Sequence, residues 1–305
     1  MDLSVIIVNW NVRDLLAACV DSVLRFTRPS LETEVIVVDN ASHDGSPNMI
    51  RQRFPSVHLL ANTENKGFAG GNNQGLRAAT GRYLALLNPD TEVRGDALGT
   101  LVDFLAATPN AGMVGPRLIH SDGSFQHSAF RFPTLAMAFF DFFPLHHRLI
   151  HSRLNGRYPR RLYDAGVPFP IDHPLGACMV LRREVIEQVG LLDEGFFMYC
   201  EEIDWAMRVR KAGWGIYCVP AAEVVHHVGQ STRQSRDEMF VTLWRSRYRL
   251  FEKYYGPAYR WLVRRIVRLG MAREVARVRR ALRRGEMSRT EAQSRLSACR
   301  LVASL

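Results

Sequence analysis

Leu84-Ala85-Leu86-Leu87-Asn88-Pro89-Asp90-Thr91-Glu92-Val93 begins as an apolar run and ends in a turn followed by an acid. A run that can be buried on both faces reads as a central strand, and Pro, which donates nothing to a sheet ladder, marks its end at Asn88. Asp90 then falls where an open parallel sheet presents its carboxyl-end crevice, and a carboxylate there is a hard oxygen ligand. Asn-Pro-Asp is equally a plain turn, since all three residues are turn formers, so its meaning rests on its surroundings.

Upstream, Leu3 to Asn9 reads as a β-branched strand, and the apolar spacing from Val12 to Phe26 as a helix. Glu34 to Asp39 is a second buried strand ending in an acid. A helix over Pro47 to Phe54 and a short strand over Val57 to Ala61 follow. Strand, helix, strand, helix, strand with short links is the pattern of a doubly wound, mostly parallel α/β sheet flanked by helices. Next comes Asn62 to Gly75, expected as a glycine-rich loop leading into a short helix to Thr80. Such a loop could cradle a diphosphate, with Lys66 as an added charge, although it fits neither a Walker A nor a dinucleotide fingerprint.

Downstream, Asp96 to Ala107 reads as a helix and Gly112 to Leu118 as a strand. An insert at about 130–170 breaks the rhythm with Phe139, Phe140, Phe142 and Phe143 and a basic, His-rich run. It is expected beside the acceptor side of the site, or as a satellite core. Gly176 to Leu181 and Trp214 to Pro220 read as further strands, with a helix over Arg182 to Val189 between them. Glu201, Glu202 and Asp204 open another helix, where anions suit the macrodipole, yet three acids in four residues exceed what capping requires. A carboxylate held there stays ionised near neutral pH, as a general base must. His226 follows the last strand and is placed to reach a metal on Asp90; an Asp and an imidazole leave positions open for phosphate oxygens on Mg²⁺ or Mn²⁺.

The 305 residues are 47% hydrophobic, enough for a substantial core. No run reaches the roughly 18 apolar residues of a membrane span, and no leader pattern precedes the first strand, so a cytoplasmic protein is expected. Five widely spaced Cys suggest reduced structural thiols. The net charge is +10, but fourteen Lys and Arg lie between Arg245 and Arg284 against only Glu252 and Glu274, which leaves the remainder close to neutral. The expected organisation is therefore a catalytic domain over 1–235 and a basic, amphipathic helical region over 236–305. Aromatics from Phe240 to Trp261 among those arginines point to an anionic membrane surface, placing the protein at the inner face of the cell membrane; a solvated Arg face on a packed helix pair is the alternative.

Val5 to Asn11, Val38-Asp39-Asn40-Ala41-Ser42, Asn65 to Asn73, Leu87 to Asp90 and Met198 to Asp204 come in an order and spacing that resembles glycosyltransferase family 2, most of all its bacterial rhamnosyltransferases, over roughly residues 1–230. The resemblance implies a GT-A fold and an inverting transfer of a sugar, rhamnose, from a nucleoside-diphosphate donor (dTDP-rhamnose or a UDP-sugar). The implied acceptor is a glycan or a polyprenyl-diphosphate-linked glycan in cell-envelope polysaccharide synthesis. It implies that Asn9 and Asp39 bind the nucleoside, that Lys66, Gly67 and Asn88 line the nucleotide side, and that Asp90 and His226 hold a divalent metal. Glu202 falls at the place of the catalytic base, with Asp204 as its rival; Asn88 stands where the family's metal motif begins with an acid.

Two rival functions have counter-signals. A sugar nucleotidyltransferase needs a Gly-rich stretch directly after the first strand, where Asn9-Trp10-Asn11-Val12 stands instead. A nucleic-acid-binding protein using the Arg-rich arm needs basic faces on its body, which is near neutral, so no nucleic-acid partner is expected.

Overall fold

The computed structural model describes residues 1–227 and 236–305. They form two compact units, one of residues 1–131, 158–197 and 201–227, the other of 132–157, 198–200 and 236–305. The domain boundary expected at 235 borders residues 228–235, which lie outside the described residues. The stretch 132–157, expected as an insert of the catalytic domain, clusters with the C-terminal helices.

The first unit opens with β1 (Leu3–Asn9), α1 (Arg13–Phe26), β2 (Thr33–Asp39), α2 (Ser46–Arg53) and β3 (His58–Ala61). Then come α3 (Gly67–Ala78), β4 (Tyr83–Leu87), β5 (Thr91–Arg94), α4 (Ala97–Ala107), β6 (Ala111–Ile119) and the short β7 (Phe125–Gln126) and β8 (Ala129–Phe130). After α5 (Leu135–Phe140) and α6 (His147–Ile150) of the second unit, the first resumes with α7 (Arg160–Asp164), β9 (Phe169–Pro170) and β10 (His173–Pro174). It closes with β11 (Cys178–Arg182), α8 (Arg183–Val189), α9 (Glu201–Lys211) and β12 (Gly215–His226).

The main sheet runs β3-β2-β1-β4-β11-β6-β12-β5. β3, β2, β1 and β4 are parallel neighbours, β11 is antiparallel to both β4 and β6, and β12 is parallel to β6 but antiparallel to β5. All five residues of β4 are buried, as a strand covered on both faces requires. Leu16, Val20 and Val23 of α1 are buried in one apolar core with Leu3, Val5 and Ile7 of β1, each contributing about 1.5–3 kcal/mol. The five Cys are free and buried.

Two differences from the sequence reading bear on the site. The glycine-rich stretch is not a loop: from Gly67 onward it is α3, lying on β1 and β2. A Cβ on Gly71 would sit 2.8 Å from Val8, and one on Gly75 would collide with Ile6, so these glycines let a helix lie close against a strand. Secondly, β12 does not stop at Pro220 but continues to His226. The Pro falls within a register shift between Val219 and Glu223, where no ladder amide is needed. The lengthened strand pairs with Thr91–Arg94, which had no strand expectation of its own.

The second unit adds α10 (Arg236–Tyr254), α11 (Pro257–Arg283) and α12 (Arg289–Ser304), the last opened by a Ser288–Glu291 capping box. Its core takes most of the aromatics expected at a membrane. Trp244, Tyr248 and Phe251 are buried with Val263, Val267 and Val302, and Phe142 stacks on Trp244 at 5.1 Å.

Candidate active site

β1, β2 and β4 end at one edge of the sheet. Asn9 pairs with Asp39 in register, and Ile7 with Leu87, one residue before Asn88. Asn9 Nδ2 donates to Asp39 Oδ1 at 2.8 Å and to Ser42 Oγ at 3.1 Å, and the Ser42 amide donates to Asp39 Oδ2 at 2.9 Å. The Asn11 amide donates to Ser42 Oγ, and Asn11 Oδ1 accepts from the His43 amide. Asp39 therefore spends both oxygens on holding the loop after β2. Asn9 Oδ1 is buried with no hydrogen-bond partner, an acceptor left over at the floor of this corner. Ser42 lies in the motif but carries no site expectation from the sequence; a small hydroxyl residue three positions after a strand-ending Asp, within reach of its carboxylate, was the available signal.

Lys66 is the exposed N-cap of α3 and Gly67 its first residue, with φ +72°. A side chain on Gly67 would collide with the Phe197 carbonyl. The Gly67 amide donates to Asn65 Oδ1 and the Phe68 amide to Phe197 O. Two amides that a phosphate cradle would offer are thus used internally, so the anion-facing part of this stretch is narrower than the sequence suggested.

The Asn88–Asp90 turn is closed by Thr91 Oγ1 donating to Asn88 O at 2.7 Å. The Asn88 amide donates to Ala177 O at 2.9 Å, extending the pairing of β4 with β11. Thr91 lies opposite His226 in the β5–β12 ladder, and the Asp90 carbonyl accepts from the His227 amide. That register brings His226 Nε2 to 3.5 Å from Asp90 Oδ1, with Asp90 5% and His226 7% exposed.

Asp90 and His226 are an oxygen donor and a nitrogen donor of the kind a divalent cation takes. Gln126 Nε2 lies 3.0 Å from His226 Nδ1, and Gln126 Oε1 is buried without a partner. An amide nitrogen only donates, so this orientation makes Nδ1 the acceptor; the flipped amide, which also gives Gln126 Oε1 a partner, takes the Nδ1 proton and turns the Nε2 lone pair to Asp90, the tautomer a metal-binding imidazole needs. Among the described residues no group of three His, Cys, Asp or Glu could hold a metal, so donor phosphate oxygens and water would complete the shell. Gln126, two residues into a hairpin after β6, carried no signal in the sequence.

The three acids opening α9 have separate fates. Asp204, wholly buried, accepts from Arg208 Nε at 2.9 Å, and that guanidinium also donates to the carbonyls of Val189 and Leu191. Glu201 is 4% exposed and its Oε2 has no partner; burial first, and the Glu202 charge second, push its carboxyl well above the usual range. Glu202 is half-buried. Its Cγ lies 3.8 Å from where a Cβ on Gly176 would sit, one residue from the Ala177 carbonyl that takes the Asn88 amide. The structure thus brings Asn88 and Glu202 to one edge, Asp90 and His226 beside it, and Asn9 with Asp39 at its far end. It leaves Asp204 in a structural ion pair. Tyr199 and Cys200, just before α9, hold φ of 70° each, and Asn11 and Ala41 beside the Asp39 loop hold 53° and 58°, so all four non-Gly left-handed residues among those described flank the two ends.

The model of the family "Glycosyl transferase family 2" matches residues 4–190. An N-acetylglucosaminyl-diphospho-decaprenol L-rhamnosyltransferase of Mycobacterium tuberculosis is 32% identical over 227 residues, 67% of this chain and 70% of that protein. A low-salt glycan biosynthesis hexosyltransferase of Haloferax volcanii is 29% identical over 243 residues, 78% of this chain and 70% of its own. In structure, a mannosyltransferase of Pyrobaculum calidifontis solved with GDP-Man and Mn²⁺ superposes with a TM-score of 0.60 at 17% identity, covering 99% of this chain and 86% of that one.

Proposed function

Because the chain belongs to glycosyl transferase family 2 and is a glycosyltransferase, we propose that it moves rhamnose from dTDP-rhamnose to a glycan on a polyprenyl diphosphate, with inversion, in cell-envelope polysaccharide synthesis. The sugar and the acceptor rest on the mycobacterial relative, named as an L-rhamnosyltransferase acting on a diphospho-decaprenol-linked N-acetylglucosamine. The observation that carries the chemistry is Glu202 at the edge where β4 ends, joined to Asn88 through Gly176 and Ala177.

In an inverting displacement the acceptor oxygen bonds to the anomeric carbon as the bond from that carbon to the donor diphosphate breaks, its electron pair leaving with the phosphate. The acceptor proton passes to Glu202, and a general base of this kind is worth ~10²–10⁴-fold. Glu202 suits the task because it is half-exposed. Asp204 is tied to Arg208, and Glu201 is buried and biased toward its neutral form. On the nucleotide side, the Asn9–Asp39–Ser42 network holds Asn9 Oδ1 ready to accept from a base imide N–H, and Lys66 adds positive charge near the diphosphate. Asp90 and His226 would hold Mg²⁺ or Mn²⁺, which when bound neutralises charge on the leaving diphosphate.

The test is to incubate the protein with dTDP-rhamnose, Mn²⁺ and an N-acetylglucosaminyl-diphospho-polyprenol, following released dTDP and the extended lipid. Transfer that disappears in Glu202→Gln while the thermal shift on dTDP persists is the expected result. Normal transfer by that variant removes Glu202 as the base, and transfer only from a UDP-sugar replaces rhamnose as the cargo.

A further inference from the structure

The 27 residues of α11 are sided in an unusual way. Val263, Val267, Gly270, Met271 and Val278 are buried in the core of the second unit. Gly270 is required there, because a Cβ would collide with the Phe142 ring. At a helical repeat of 3.6, Trp261, Arg265, Arg268, Leu269, Arg279 and Arg283 fall on the opposite face, and all six are exposed. Trp261 is 56% and Leu269 65% exposed, and the guanidinium of Arg265 lies over the Trp261 ring at 5.2 Å. The helix's one acid, Glu274, is on the far side, paired with Arg277 and Arg295.

An ordinary solvated face intersperses both signs of charge and exposes few large apolar side chains. Here arginines alone share a stripe with an exposed Trp and Leu for the length of a helix about 40 Å long. We propose that this stripe of α11 is a docking surface for anionic phospholipid, lying flat in the headgroup layer with Trp261 and Leu269 dipped toward the acyl boundary and the arginines on lipid phosphates. Charge complementarity selects an anionic partner, and the apolar members select a lipid surface over a nucleic acid, which would leave Leu269 and the adjacent exposed Leu262 in water. No helix among the described residues is long and apolar enough to cross a membrane, which fits a helix that lies on the surface. The surface is independent of the donor and of Glu202.

Flotation of the full chain with vesicles of three parts phosphatidylcholine to one part phosphatidylglycerol tests it, against pure phosphatidylcholine vesicles and against duplex DNA at equal charge. Binding to the anionic vesicles at 50 mM salt, weakened at 500 mM and absent on neutral vesicles, is expected. An Arg265→Glu, Arg268→Glu, Arg279→Glu variant should lose affinity on the order of 10²-fold, since each basic residue near an anionic leaflet is worth roughly fivefold. Trp261→Ser with Leu269→Ser should lose the binding that survives salt. Both variants alter exposed side chains, so an unchanged melting temperature and unchanged transfer to a short-chain, water-soluble acceptor should accompany the loss. Vesicle binding unaltered in both variants, or binding confined to DNA, overturns the proposal. Failed transfer with intact flotation would count against the catalytic reading alone.

Discussion

Where β1 and β2 end, Asp39 uses both carboxylate oxygens within the chain and Asn9 leaves only Oδ1 unpaired. Where α9 begins, Glu201 is buried with an oxygen that has no partner, and the residue beside it is a second acid. The first corner is a finished hydrogen-bond network, which stabilises the fold while shaping one acceptor for a ligand. The second holds a buried acid at a cost, because a buried carboxylate oxygen left without a partner costs about 1–3 kcal/mol. Natural sequences break local rules of this kind mainly at sites where chemistry is done. The contrast is in keeping with the roles proposed above, recognition at the first corner and proton transfer at the second.

The largest effect expected from breaking the contrast is at Glu202. Glu202→Gln should lower kcat by ~10²–10⁴-fold with the dissociation constant of the nucleotide unchanged, measured by single-turnover transfer and by calorimetry. Next is Asp204→Ala, which strips the partner from the half-buried Arg208 guanidinium and should cost about 1–3 kcal/mol in urea unfolding, while transfer per folded molecule stays within a few-fold. If Asp204→Ala instead abolishes transfer at unchanged stability, the two acids exchange roles.

Much of this arrangement was legible in the sequence. Asn88-Pro89-Asp90 ends its strand because Pro cannot extend it, and β1 to β4 follow their apolar runs. The division of labour among Glu201, Glu202 and Asp204 was not, since three acids within four residues point in three directions and only the packing of α9 decides which is buried. Arg208, four residues after Asp204, was the clue, the spacing of a helical ion pair. The glycines of α3 misled because Gly serves equally a phosphate-binding backbone and a helix pressed on a strand. His226 came to Asp90 through β5, a four-residue strand too short to stand out. Trp244 and Phe251 read as membrane-facing because periodicity places residues on a face without saying what covers it.

A smaller effect sharpens the account of Glu201. Its carboxyl is held above the ordinary value of 4.5 in the folded protein, so above that pH the native state binds more protons than the unfolded chain and stability falls as pH rises. Glu201→Gln removes this dependence. Its melting temperature should exceed that of the natural protein by an amount that grows as the pH rises above 4.5, with transfer retained. A variant that melts in parallel with the natural protein at every pH would mean that Glu201 is solvated like any surface acid.

The smallest expected effect probes the backbone of the finished corner. Ala41 sits at φ 58°, and a left-handed conformation costs a residue with a Cβ roughly 1–2 kcal/mol. Glycine relieves that strain but adds freedom to the unfolded chain worth about 0.5–1 kcal/mol, so Ala41→Gly should stabilise by about 0–1.5 kcal/mol. The same variant loosens the loop that Ser42 ties to Asp39 and Asn9. If that network alone fixes the corner, nucleotide affinity is unchanged and only the melting temperature rises. If the strained backbone helps to aim Asn9 Oδ1, affinity falls as stability climbs, and the two corners are alike in storing strain for function.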